Sequence, residues 1–176
     1  MLENDQEYLK HAYIVAAVAS TDPSTQNGAI LVNPNTGQIV ADGANHFPEG
    51  VEEKSERWER PIKYSYVEHA ERNCIFTAAR NGVATEGLVM YCCWAACADC
   101  SRAIIQARIS EVVTHYNPNP PSGERFGMPV HPQWKESIEV ALGMMKEAGV
   151  KIRWIEDKLY LDEELQIRFN GTLVTP

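Results

Sequence analysis

Apolar and polar positions along this chain repeat with two periods, and the switches between them mark its elements. Over residues 3–20, Tyr8, Ala12, Val15 and Ala19 recur on one helical stripe among enough further apolar residues to predict a deeply buried helix. It should stop before Pro23, which cannot continue a helix. The apolar runs 28–32 and 38–44 flank Asn33-Pro34-Asn35-Thr36-Gly37, turn-forming residues that predict a hairpin. Residues 45–66 are polar, carry Pro48, Gly50 and Pro61, and show no sustained period. A loop this long inside a compact domain is often functional. A helix is predicted from about residue 67 to the Asn81-Gly82 stop signal, a strand over 87–92, a helix over 98–107 and a strand over 111–115. After the Pro-rich stretch 117–129, Trp134, Ile138, Ala141, Leu142 and Met145 share a helix face ending at Gly149, and 151–155 reads as a last strand. The alternation predicts α/β architecture, while 157–176 is too mixed to assign.

The 176 residues suffice to bury a core without disulfide staples, so one domain over 1–176 is expected, with a long loop at 45–66 and a C-terminal extension at 157–176. With 44% hydrophobic and 23% charged residues, neither disorder nor a membrane class is indicated. The acidic, polar first ten residues do not read as a leader, so a cytoplasmic location is expected. The net charge of −8 opposes nonspecific attraction to long nucleic acids, including tRNA. The five cysteines stand at 74, 92, 93, 97 and 100, and this crowding suits a metal better than a disulfide framework.

The informative pair is His69-Ala70-Glu71 near the start of one helix and Cys97-Ala98-Asp99-Cys100 at the start of another. Two thiolates three residues apart on a helical turn can reach one zinc ion, and an imidazole from a neighbouring helix can supply a third ligand. Structural zinc is usually closed by four protein ligands, whereas three ligands and an open position suit hydrolytic chemistry. Glu71 lies two residues from His69, a spacing that points the side chains apart, so it can sit near the metal without binding it. There it could take a proton from zinc-activated water and pass it on.

These motifs resemble the signature of the zinc-dependent cytidine and deoxycytidylate deaminases, His-x-Glu followed by Pro-Cys-x-x-Cys. The likeness extends through His69-Ala70-Glu71-Arg72-Asn73-Cys74-Ile75 and Cys100-Ser101-Arg102-Ala103-Ile104-Ile105. Upstream, residues 28–32 and 43–50 are similar to the deoxycytidylate branch, so the resemblance covers roughly residues 8–116. It implies a three-layer α/β/α sandwich around a mixed sheet of about five strands. It implies zinc held by His69, Cys97 and Cys100, Glu71 as proton shuttle, Asn45 on the substrate sugar, and the backbone around Ala70 and Ala95 flanking the base. The implied reaction is hydrolysis of a cytosine nucleotide, dCMP to dUMP, in pyrimidine metabolism, by a homo-oligomer such as a dimer or hexamer. Four positions depart from the family pattern: Ala96 for proline, Asn27 for valine, and Ala44 with His46 for the tyrosine and glycine of a loop that binds triphosphate effectors in regulated members. Control by dCTP or dTTP is therefore not implied.

Blander readings compete for the same residues. His69, Cys97 and Cys100 could be core residues, or Cys92 or Cys93 could close a structural zinc site in a non-catalytic binding module. The substrate could be a free nucleoside or another small pyrimidine. Cys74 reads as a core residue, and His11, His115 and His131 as surface or satisfied core. Tyr116, just past a strand, could stack on a base, His46 could touch substrate or solvent, and Arg57, Arg60, Lys63, Arg80 and Arg102 are candidates for a phosphate.

Overall fold

The computed structural model describes residues 4–115, 124–125, 128–129, 132–160 and 165–176. The elements run α1 (Asp5–Ala19), β1 (Gly28–Val32), β2 (Ile39–Ala44), a 3₁₀ turn (Ser55–Trp58), α2 (Lys63–Tyr66) and α3 (Ala70–Arg80). There follow β3 (Val89–Cys92), α4 (Ala98–Gln106), β4 (Glu111–His115), β5 (Glu124–Arg125), β6 (Met128–Pro129), α5 (Pro132–Glu147), β7 (Lys151–Ile155), β8 (Ile167–Phe169) and β9 (Thr172–Val174). The main sheet has five strands in the order β2-β1-β3-β4-β7. β1 pairs antiparallel with β2 and β3, while β3, β4 and β7 are parallel and joined through α4 and α5. This is the mixed five-stranded α/β/α sandwich expected.

Helices cover both sheet faces, so β1 and β3 are buried along their whole length. On one face, α3, α4 and α5 contribute Ala70, Cys74, Cys100, Ile104, Ala141 and Met145 to the core. On the other, Leu9, Ala12, Tyr13 and Ala16 of α1 pack with Ile167, Phe169 and Val174 of the C-terminal hairpin. The buried stripe of α1 is therefore rotated from the expected one: Ala19 is exposed, and Val18 is 82% exposed, so the helix is one-sided rather than deeply buried. Gly43 lets α3 lie directly on β2, since a Cβ there would stand 2.3 Å from the Cys74 nitrogen and 2.6 Å from the Ala70 oxygen.

Two further expectations need correction. Helix α3 starts at Ala70 rather than near 67, because Glu68 instead pairs with His46 in an isolated β-bridge (Glu68 N to His46 O 2.9 Å). That bridge leaves His69 extended at the helix N-cap. Residues 45–66 are not structureless either: they fold around their own aromatic rings, with Phe47 stacked on Trp58 at 4.2 Å and near Tyr66, whose face carries the Arg57 guanidinium. Such packing is internal to the loop and leaves no periodic trace. The segment that could not be assigned from sequence contains the β8–β9 hairpin, turned by Asn170 (φ 49°) and Gly171 (φ 82°), an Asn-Gly pair suited to the left-handed conformation of a tight hairpin turn.

Candidate active site

Helices α3 and α4 begin side by side, and their first turns carry the chemistry. Nδ1 of His69, at the N-cap of α3, lies 3.6 Å from Sγ of both Cys97 and Cys100. Cys97 is the N-cap of α4 and Cys100 lies in its first turn. The donor atoms all fall within 4.8 Å of one another. Tetrahedral zinc with ordinary Zn–N and Zn–S bonds would separate the nitrogen from each sulfur by about 3.6 Å, so the three donors fit that ion. Cys92 hydrogen-bonds the Trp94 carbonyl instead, and among the described residues no fourth His, Cys or carboxylate joins the cluster.

The electrostatics of the cluster follow from this crowding. Hydrogen bonding from the Cys100 thiol, and then His69, brings Cys97 down to about 4 against the effect of burial, while the same contact and burial push Cys100 up. Burial lowers the His69 pKa, but hydrogen bonding to Cys97 and the charge of Glu71 raise it overall. Glu71, 2% exposed, has its carboxyl pushed above the usual range chiefly by burial. It faces the same cavity as His69 and Cys97. The Asn27 amide donates to its Oε2 at 3.4 Å.

Asn45 is buried and also lines the cavity. Its amide ties three segments together: Oδ1 accepts from the Ala70 N–H at 2.9 Å, and Nδ2 donates to the Thr25 carbonyl at 3.1 Å. Ala95, just past β3, lines the cavity beside Trp94. Ala70 is buried, and its amide is engaged with Asn45. Tyr116 lies outside the described residues. Of the five basic candidates, Arg60 and Lys63 border the cavity. Arg57 lies over Tyr66, Arg80 pairs with Glu49 and Arg102 with Asp99. Lys63 is itself paired with buried Asp22 at 2.6 Å. His46 contacts Asn73 and the Phe47 carbonyl, whereas His115 is a satisfied core residue held by Tyr13 and the Asp157 carbonyl.

Several cavity residues escape sequence reasoning. Asp22, Thr25 and Asn27 come from the segment before β1, Tyr64 from α2, Trp134 and Ile138 from α5, and Phe169 and Asn170 from the hairpin. Tyr64 meets Trp134 edge to face at 5.8 Å, and the indole lies 5.8 Å from the His69 ring. The helix face of Trp134 and Ile138 is legible, but nothing in its period says that it ends over a donor cluster. The hairpin that carries Phe169 and Asn170 falls in the segment that could not be assigned from sequence, although its Asn170-Gly171 pair is a turn signal.

The cytidine and deoxycytidylate deaminase zinc-binding region matches residues 2–116. A protein of Aliivibrio fischeri described as an uncharacterized deaminase in the luxG 3′ region is 37% identical over 136 residues, spanning 77% of this chain and 83% of that protein. The deoxycytidylate deaminase of Mus musculus is 37% identical over 113 residues, spanning 61% of this chain and 62% of the mouse protein, less than two thirds of its length. A crystal structure of dCMP deaminase from the cyanophage S-TIM5, in complex with dCMP and dUMP, shares the fold with a TM-score of 0.65 at 24% identity, spanning 88% of this chain and 98% of that one. With a match over most of its length and the donor cluster in place, this chain belongs to the cytidine and deoxycytidylate deaminase zinc-binding family.

Proposed function

We propose that the protein hydrolyses the amino group of a cytosine nucleotide, converting dCMP and water to dUMP and ammonia. The observation that carries this reading is the three-donor cluster of His69, Cys97 and Cys100 beside a buried carboxyl, Glu71, on one cavity. The substrate follows from the relatives: a deoxycytidylate deaminase at 37% identity, and a shared fold with a phage enzyme that binds dCMP and dUMP.

His69, Cys97 and Cys100 would hold Zn²⁺ and leave a fourth position open to the cavity. When bound, the ion supplies Lewis acidity that brings the pKa of water to about 7. Glu71 moves the protons. Its carboxylate accepts one as water adds to C4 of the pyrimidine, and its raised pKa suits it to return that proton to N3 and then to assist the departing amine. Asn27, donating to Oε2, holds the carboxyl in place. Asn45 fixes the start of α3 and so the bearing of His69 and Glu71, and its position suits contact with the sugar. The Trp94–Ala95 segment lines the cavity, and its backbone and that around Ala70 would flank the base. Tyr116 is retained as a stacking candidate. Five cysteines outside disulfides, two of them in the donor cluster, fit a reducing, cytoplasmic setting, and self-association as a dimer or hexamer completes the reading. Among the described residues no helix is long and apolar enough to cross a membrane.

The test is a chromatographic assay of the zinc-loaded protein with dCMP, CMP, dCTP and deoxycytidine, alongside Glu71→Ala. Loss of the amino group from dCMP, reduced about 10²–10⁴-fold in a variant that still binds zinc, is expected. Unchanged turnover in Glu71→Ala would refute the mechanism.

A further inference from the structure

The β8–β9 hairpin lies beyond the matched family region, yet its turn reaches the cavity rim. It is stitched to the segment before β1. The Gln26 N–H donates to the Arg168 carbonyl at 2.9 Å, and the Arg168 N–H returns a bond to Gln26 Oε1 at 2.8 Å. The Gly171 N–H donates to the Ser24 carbonyl at 2.8 Å, and the Asn170 N–H to Thr25 Oγ1 at 3.3 Å. Phe169 packs on Trp94 at 4.8 Å, which seats the turn beside the Trp94–Ala95 wall.

Arg60 arrives at the same point from the long loop, donating from Nη2 to Ser24 Oγ at 3.3 Å. The cavity therefore has an order. His69, Cys97 and Glu71 line it at the starts of α3 and α4, and Asn45 joins that point to the next, accepting from the Ala70 N–H and donating to the Thr25 carbonyl. Thr25 and Ser24 then lead to Asn170 and Arg60. A nucleotide has the same order: reacting base, sugar, phosphate.

The charges point the same way. Lys63 is neutralised by Asp22, Arg72 by Glu68, Arg80 by Glu49 and Arg102 by Asp99. Arg60 instead hydrogen-bonds a neutral hydroxyl and borders the cavity, where its planar fork of donors matches a phosphate.

Building on the proposed deamination, we infer that Arg60 and Asn170, set on the Ser24–Thr25 segment, form a subsite for the 5′-phosphate. The C-terminal hairpin then selects a nucleotide over a nucleoside. The test compares the zinc-loaded full chain with Arg60→Gln and Asn170→Gly, the latter keeping a residue that tolerates φ 49°. Steady-state rates are read with dCMP and deoxycytidine, and binding of dUMP and deoxyuridine by calorimetry. Each variant should lower the preference in kcat/KM for dCMP over deoxycytidine about tenfold, through KM, and weaken dUMP binding by a similar factor. A preference unchanged in both variants, or wild-type protein binding deoxyuridine as tightly as dUMP, would overturn the subsite. Should wild type turn over none of these compounds, deamination fails, and the dUMP–deoxyuridine difference with its loss in the variants still decides the subsite.

Discussion

Two buried polar clusters of this protein are built on opposite plans. In the first, Asp5 of α1 accepts from the Tyr91 hydroxyl at 2.7 Å and pairs with Arg153, which also pairs with Glu111, so strands β3, β4 and β7 are tied to the first helix. Every charge there meets an opposite one. In the second, His69, Cys97, Cys100 and Glu71 place three acidic groups around one imidazole, and Oδ1 of Asn27 has no hydrogen-bond partner among the described residues. A closed network holds a fold together, whereas acidic groups and an imidazole converging on a point, with no cation among them, are complementary to a dication and a polar ligand. The difference separates a structural cluster from a reactive one although both are buried and ionisable.

The sharpest way to break the comparison is Cys97→Ala. Metal analysis should show about one zinc per chain in the wild type and none in the variant, with deamination of dCMP falling below detection. Retained zinc with full turnover would mean that the donors are ordinary core residues. Next in size is the Lys63–Asp22 pair, which borders the cavity but is closed like the Asp5 network. Lys63→Met should cost about 3 kcal/mol in urea unfolding, because it strands a buried carboxylate, although the Ser24 and Thr25 N–H groups still donate to it. A loss under about 1 kcal/mol would show the pair to be solvated.

Asp5→Ala should cost about 2 kcal/mol while leaving turnover within about twofold, since among the described residues that line the cavity none belongs to the network. A large drop in kcat would instead link the two clusters. Burial pushes the Asp5 carboxyl up, but hydrogen bonds from Arg153 and Tyr91 and the guanidinium charge hold it below its ordinary value overall. Its contribution is therefore present above the unfolded pKa of about 3.9 and disappears as pH falls through the lower folded value. Acid titrations should show the wild type losing its advantage over Asp5→Ala in that range, and a constant gap down to full protonation would contradict the pairing. The smallest effect is expected of Asn27→Val, which removes the unpartnered oxygen and should raise stability by about 1 kcal/mol in the metal-free protein. Destabilisation would show that the amide contributes more through Glu71 than its carbonyl costs.

Much of the architecture is visible in hydrophobic period because helices α3, α4 and α5 and the central strands each bury one continuous face or run. The places where it misleads are those where a partner overrides local preference. Glu68 joins a β-bridge with His46, so the helix starts later and His69 becomes its cap. The loop over 45–66 takes its order from Phe47, Trp58 and Tyr66 packing on one another, contacts with no fixed spacing.

What the amino-acid sequence determined by itself was the kind of chemistry: donor types spaced for one helical turn, and a carboxyl two residues from the histidine. These depend on residue identity and local geometry, which a chain carries before it folds. The tertiary structure alone decided what surrounds the donors. It brought Asn27 to Glu71, set Trp134 of α5 beside His69, and laid the Asn170 turn against Thr25. Such contacts join segments far apart in the chain, and no local propensity encodes them. They exist only because the two layers pack on one sheet and bring their ends together at a single cavity.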